Sequence, residues 1–316
     1  MGKIKLAVLD DYQQVALTSA DWTPILAGCE VSVFHDHIDD VPALVRRLEP
    51  FEILCVMRER TPLPRALLEQ LPNLRFIAST GARNASIDLK AAEDLDIEVA
   101  YTGYTSTAAI ELTWALILAA ARHLPQEISS VQTGGWQTRL GQELKGKTLG
   151  LIGLGRIGSA IAKIGNAFGM RVLAWSQNLT PDRAAESGAA WVPRETLFGD
   201  ADFVSLHLIL SKRTQQLIGE TDFDRMKQSA WFVNTARAGI VDEHALMNHL
   251  KLRKISGAAL DVFWNEPLSL QSPWRKLENV LSSPHIGFVT DEAYKTFYGD
   301  CARNVLAYLH GKELRP

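Results

Sequence analysis

The run Thr148–Ile152 is short and apolar, and it leads straight into Gly153-Leu-Gly155-Arg-Ile-Gly158 and then Ser159-Ala-Ile-Ala-Lys163. A buried strand, a glycine-spaced turn and a helix start, in that order, are what a dinucleotide pyrophosphate requires of a backbone. Gly153 permits the tight turn, Gly155 lets the chain approach the phosphates, and Gly158 lets the helix pack on the strand. The helix start then presents unpaired N–H groups and a partial positive charge to the anion. A second apolar strand, Val172–Trp175, follows at the distance such a unit needs. Nearly half the chain precedes the motif and must form something else.

At 316 residues the chain can hold two domains, each with its own core. Hydrophobic residues make up 47% and charged ones 22%, the balance of a soluble globular protein. A net charge of −3 gives no reason to expect nucleic acid or an anionic membrane as partner. Cys29, Cys55 and Cys301 lie far apart without metal-ligand spacing, so we expect no metal and reduced thiols in a cytoplasmic protein. The first strand starts almost at the N-terminus, so we expect no signal peptide, and Trp114–Ala121 is too short to span a bilayer.

Strand-like runs alternate with helical ones throughout, which argues for parallel sheets covered by helices on both faces. In the first part the strands read as Ile4–Leu9, Glu30–Phe34, Ile53–Val56, Arg75–Ala78 and Ile97–Ala100, with helices at Val41–Leu48 and Pro64–Glu69. In the second they read as Thr148–Ile152, Val172–Trp175, Phe203–Leu208, Trp231–Asn234, Ala258–Val262 and Val280–Ser282. Ser106–Leu124 is apolar nearly all round and stops at Pro125, so it belongs at a domain junction. A last helix, Asp291–Leu309, carries Phe297, Cys301, Val305 and Leu309 at i, i+4 spacing and is expected to return to the first domain. A cleft between the domains is the default ligand site.

Three polar features fall at C-terminal strand ends, where doubly wound sheets place chemistry. They are Asn234-Thr-Ala-Arg237-Ala-Gly239, Asp261-Val-Phe-Trp-Asn-Glu266-Pro267 and Ser283-Pro284-His285-Ile-Gly287. Singly, Arg237 could be a surface ion-pair partner, Glu266 a helix-start charge and His285 a satisfied loop histidine. Together they fit ketone reduction. Hydride reaches the carbonyl carbon from a nicotinamide while a histidine, oriented and made more basic by a carboxylate, protonates the oxygen. An arginine binds a substrate carboxylate through two parallel hydrogen bonds.

These motifs, in this order and spacing, resemble the D-2-hydroxyacid dehydrogenase family over nearly the whole chain. The resemblance implies that Arg237 binds the 2-oxo acid, that His285 is the general acid/base and that Glu266 is its partner. It implies that Asp261 meets the nicotinamide carboxamide and that the amides of Arg156 and Ile157 hold the pyrophosphate. Leu208 and Thr214 align with a loop beside the cofactor, and backbone around Ala236 and Gly287 with further nicotinamide contacts. Thr80-Gly81-Ala82-Arg83-Asn84 resembles the loop whose amides bind the substrate carboxylate, and the family is typically homodimeric. The fold expected is α/β with two doubly wound parallel-sheet domains. A Rossmann NAD(P)-binding domain, residues 103–287, is inserted in a discontinuous flavodoxin-like substrate domain, residues 1–102 and 288–316.

The chain departs from the pattern in places. After Val172–Trp175, where NAD-using members carry an acidic residue for the ribose hydroxyls, stand Ser176-Gln177-Asn178. Without that carboxylate a 2′-phosphate is not repelled, so NADP is preferred slightly over NAD. The alternative is that Ser176 and Gln177 bond the ribose of NAD. Arg83-Asn84 replaces glycine and a small or aromatic residue; Arg83 either reads a distal polar group on the substrate or points to solvent or pairs with Asp88. Ile209 replaces a common proline, while Trp136 and Trp264 read as core or interface packing residues. The expected activity is reduction of a small 2-oxo acid of the glyoxylate or hydroxypyruvate type, or the reverse dehydrogenation. The alternative is an NAD(H)-sensing regulatory binding protein on the same scaffold. A formate-oxidising relative usually has glutamine beside the histidine, and Glu266 argues against it.

Overall fold

The computed structural model describes residues 2–312, and the chain divides into two compact units. One runs to Thr105 and resumes at Val289; the other is Ser106–Phe288.

The first unit is built on strands β1 (Ile4–Val8), β2 (Cys29–Val33), β3 (Ile53–Val56), β4 (Phe76–Ser79) and β5 (Glu98–Tyr101). All pair in parallel in the order β2-β1-β3-β4-β5, the flavodoxin-like winding. Every residue of β3 and β4 is buried, as expected of central parallel strands covered on both faces. Asp40 and Asp88 start two of the covering helices by accepting hydrogen bonds from the Ala43 and Ala91 amides. The helix Asp291–Leu309 packs against β4 and β5, as its apolar stripe requires. Tyr308 stacks on Phe76 at 4.6 Å and Asn304 donates to the Tyr101 carbonyl at 2.9 Å.

The second unit holds β6 (Thr148–Ile152), β7 (Arg171–Trp175), β8 (Ala190–Trp191), β9 (Phe203–Leu206), β10 (Trp231–Asn234), β11 (Gly257–Leu260) and β12 (Val280–Ser282). Their order is β12-β11-β10-β9-β6-β7-β8, all parallel, so the winding reverses between β6 and β9 as in dinucleotide-binding sheets. The two-residue edge strand β8 escapes the sequence reading because both its residues are exposed and leave no apolar run.

Helix Thr107–Arg122 buries Trp114, Ile117, Ala120 and Ala121 and packs against helix Arg156–Ala167, β10 and β11. It ends earlier than expected, at His123, whose φ of 49° is left-handed. The chain then enters a second helix, Leu124–Gln132, with Pro125 in its first turn. Pro125 thus starts a helix rather than ending one, since a first-turn N–H has no intrahelical acceptor to lose.

Phe232 of β10 is fully buried and meets Phe223 edge-on at 5.3 Å between centroids. Phe232→Ala should destabilise this unit by about 3–5 kcal/mol, measured as a lowered urea midpoint.

Candidate active site

Parallel pairing sets Asn234, Leu260 and Ser282 level at the ends of β10, β11 and β12. The chain leaving these ends carries the polar residues. Asp261 is 0% exposed. Its Oδ1 accepts from Ser283 Oγ at 2.6 Å and the Ile286 amide at 2.9 Å, and its Oδ2 from the Gly287 amide at 2.8 Å. Burial raises its carboxyl above the usual range, although these donors pull it down.

Asp261 therefore fastens the segment Ser283–Gly287 to the end of β11, with His285 in a left-handed conformation at φ 52°. There His285 Nδ1 lies 2.6 Å from Glu266 Oε2, and the other Glu266 oxygen accepts from the Phe263 amide at 2.7 Å. A carboxylate only accepts, so Nδ1 carries the proton of this bond and Nε2 is the nitrogen left for chemistry. Phe288 meets the imidazole edge-on at 5.6 Å.

Arg237 follows β10. The side chain of Asn234, 1% exposed, accepts from the Ala236 amide at 3.0 Å and donates to the Arg237 carbonyl at 3.2 Å, so it fixes the turn that presents the arginine. Arg237 Nη1 donates to the Ala236 carbonyl at 2.8 Å. Arg237, Glu266 and His285 thus leave three adjacent strand ends of one sheet. Asn234 and Ser283 act as holders of this geometry, a part the sequence reading did not give them. Their only signal is a polar residue at a strand end.

The glycine turn lies at the end of β6. Gly153 has φ +100°, and a Cβ there would stand 2.7 Å from the His207 carbonyl oxygen. A Cβ on Gly158 would strike the Gly153 carbonyl. At Gly155 a Cβ would meet nothing within 4 Å, and no side chain caps helix Arg156–Ala167, which starts there. Close packing behind the turn and open space before an uncapped helix start fit a dinucleotide pyrophosphate, with the Arg156 and Ile157 amides at the first turn.

After β7, Ser176 is half-buried and Gln177 exposed; the Leu179 amide closes a turn on the Ser176 carbonyl. Past β9, Leu208 lies against Gly153, and Thr214 Oγ1 donates to the Ile209 carbonyl at 2.6 Å, fastening the intervening loop. Trp264 packs as expected, stacked on Trp274 at 5.3 Å, whereas Trp136 is 74% exposed.

In the first unit, the loop after β4 turns at Gly81, whose side-chain direction is filled by the Arg58 guanidinium. Asn84 is buried and donates to the Arg58 carbonyl at 2.6 Å, so it builds this loop. Ala82 and Arg83 are exposed, and Asp88 is engaged in capping its helix; Arg83 makes no ion pair among the described residues.

His207, between β9 and Leu208, bonds Ser205 Oγ through Nε2 at 2.9 Å, and burial pushes its pKa down to about 4 from an ordinary 6.5. The unfolded chain therefore binds the extra proton between those values. Stability present above the ordinary value should be lost as pH falls through about 4, by about 3 kcal/mol from this group. Urea midpoints across that window should show a flatter pH dependence in His207→Gln.

Residues 114–287 match the family model described as "D-isomer specific 2-hydroxyacid dehydrogenase, NAD binding domain". The glyoxylate reductase of Thermococcus litoralis is 40% identical over 256 residues, covering 78% of this chain and 77% of that protein. The D-3-phosphoglycerate dehydrogenase of Archaeoglobus fulgidus is 39% identical over 253 residues, 79% of this chain and 48% of its own. Among solved structures, a phosphoglycerate oxidoreductase from Vibrio cholerae O395 superposes with a TM-score of 0.93 at 39% identity, covering 98% of this chain and 99% of that one.

Proposed function

Because the chain belongs to the D-isomer specific 2-hydroxyacid dehydrogenase family, an oxidoreductase family acting on CH–OH donors, we propose that it reduces a small 2-oxo acid of the glyoxylate or hydroxypyruvate type. The observation that carries this reading is the His285–Glu266 pair at 2.6 Å, anchored by the Phe263 amide, on segments that leave β11 and β12, the next two strands of the sheet after β10, whose end carries Arg237.

A nicotinamide dinucleotide, when bound, supplies the hydride. Gly153, Gly155, Arg156, Ile157 and Gly158 would hold its pyrophosphate, with Leu208 and Thr214 alongside. Ala236 and Gly287 would face the nicotinamide, together with Asp261, whose Oδ2 takes only the Gly287 N–H among the described residues. Arg237 binds the carboxylate of the substrate and polarises its keto oxygen. His285 delivers the proton to that oxygen from Nε2, and Glu266 stabilises the imidazolium that starts the step. Gly81, Ala82 and Arg83 are proposed as substrate contacts. Ser176 and Gln177 supply no carboxylate after β7, which supports NADP over NAD.

We place the protein in the cytoplasm on its three free, buried cysteines. No helix among the described residues is long and apolar enough to cross a membrane.

We also propose a homodimer. Helix Leu124–Gln132 buries none of its residues, and Leu124, Ile128 and Val131 form an exposed stripe at i, i+4, i+7. Trp136 and Leu140 add further exposed apolar surface. Ile128→Glu should convert dimer to monomer in sedimentation.

Cofactor oxidation followed with NADH and NADPH against glyoxylate and hydroxypyruvate tests the activity. His285→Ala and Arg237→Ala should each lower turnover about 100-fold or more while the fold is kept. Wild-type rates in both variants would overturn the mechanism. Tight cofactor binding with no turnover of any 2-oxo acid would instead favour an NAD(H)-sensing regulatory protein.

A further inference from the structure

At the N-terminal ends of β10, β11 and β12 the second unit has an open-sided cavity of about 400 Å³. These are the strand ends opposite those that carry Asn234, Asp261 and Ser283, so the cavity is separate from the catalytic residues. Its floor includes Trp231 and Asn279, 2% and 6% exposed. Trp231 Nε1 is a buried donor with no hydrogen-bond partner. Gln126 Oε1, also on the lining, is a buried acceptor without one, while its amide nitrogen is directed to the Glu278 carbonyl at 3.4 Å. An indole N–H can only donate, and leaving it buried and unpaired costs about 1–3 kcal/mol.

Arg139, Arg253 and the Glu278 carboxylate line the cavity, and the Glu127 carboxylate, engaged by the Thr138 hydroxyl, lies close enough to act on His123 and Arg139. Arg139 has no ion pair among the described residues. Arg253 has only a 3.5 Å contact with the Glu278 carboxylate, itself 81% exposed at the rim. His123 stands beside Trp231, with 6.3 Å between ring centroids. Burial, and then the Arg139 charge, hold its pKa below the ordinary range, so the arginines are the cations here.

We propose that this cavity binds a small oxyanion that also carries an O–H, inorganic phosphate being the simplest member of the class. The oxyanion's unprotonated oxygens would accept from Trp231 Nε1 and the arginines, and its hydroxyl would donate to Gln126 Oε1. Arginine offers the planar donor set suited to such an anion. Sulfate is the discriminating control. It matches phosphate in size and shape but has no proton to donate at neutral pH, so it leaves Gln126 Oε1 unpaired.

Calorimetric titration of the full chain with phosphate and with sulfate, at matched ionic strength, tests this. Phosphate should bind saturably, and sulfate about tenfold more weakly. Arg139→Gln should weaken phosphate about tenfold, and Trp231→Phe, which keeps an aromatic ring and removes the N–H, about fivefold. Gln126→Leu, at a partly exposed position that leaves the floor intact, should abolish the preference for phosphate over sulfate. All three variants should keep the cofactor-dependent rate, measured without phosphate, within about twofold of wild type. Equal phosphate affinity in wild type and variants would assign the binding to the glycine turn and overturn the proposal. Titrations showing only the ionic-strength response, with the orphaned groups satisfied by water, would overturn it as well.

Discussion

The catalytic geometry depends on one buried carboxylate. Asp261 has no exposure, and an ion so placed is tolerated only because Ser283, Ile286 and Gly287 surround it with donors. Those donors all belong to one short segment, so satisfying the charge also bends that segment and turns His285 toward Glu266. Glu266 is in turn held by the Phe263 amide. A half-exposed histidine–carboxylate pair contributes little to stability by itself. Its value lies in orientation, which backbone amides impose before any substrate arrives.

The same winding rule operates in both sheets, with different results. In the second unit the order reverses between β6 and β9, and at that point Gly153 meets the His207 carbonyl with no side chain between them. The backbone is bare there, which suits a ligand lying on it. In the first unit the reversal falls between β1 and β3, and side chains fill it. Arg60 donates to the Asp10 carbonyl at 2.6 Å and Thr61 to the Asp10 carboxylate at 2.7 Å. One reversal is left open by glycine and the other is closed by ion-bearing residues, so equivalent topological positions offer different surfaces.

Much of this was legible in the sequence where both faces of an element are buried. Continuous apolar runs identified the central strands, the glycine spacing identified the turn after β6, and the stripe on Asp291–Leu309 identified its return to the first sheet. What escaped has physical causes. β8 is exposed and carries no run to detect. Pro125 breaks or starts a helix depending on whether the chain before it has already left helical geometry, and the left-handed turn at His123 decides that. Asn84 and Asn234 hold backbone in buried places, a role that no periodicity encodes. Arg83 and Asp88 are near in sequence, but Asp88 is engaged by the Ala91 amide.

The split of the first unit between the two ends of the chain also governs the order in which the protein can be assembled. The sheet β1–β5 exists early in synthesis, but the helix that covers Phe76 and the Tyr101 edge comes after the whole second unit. Ribosomes add about 5–20 residues per second, so the roughly 180 intervening residues take on the order of 10–40 s. During that interval one face of β4 lacks its cover, while Ser106–Phe288 emerges with every strand it needs. The nucleotide-binding half can therefore be complete while its neighbour still presents an apolar surface to the ribosome exit and to chaperones.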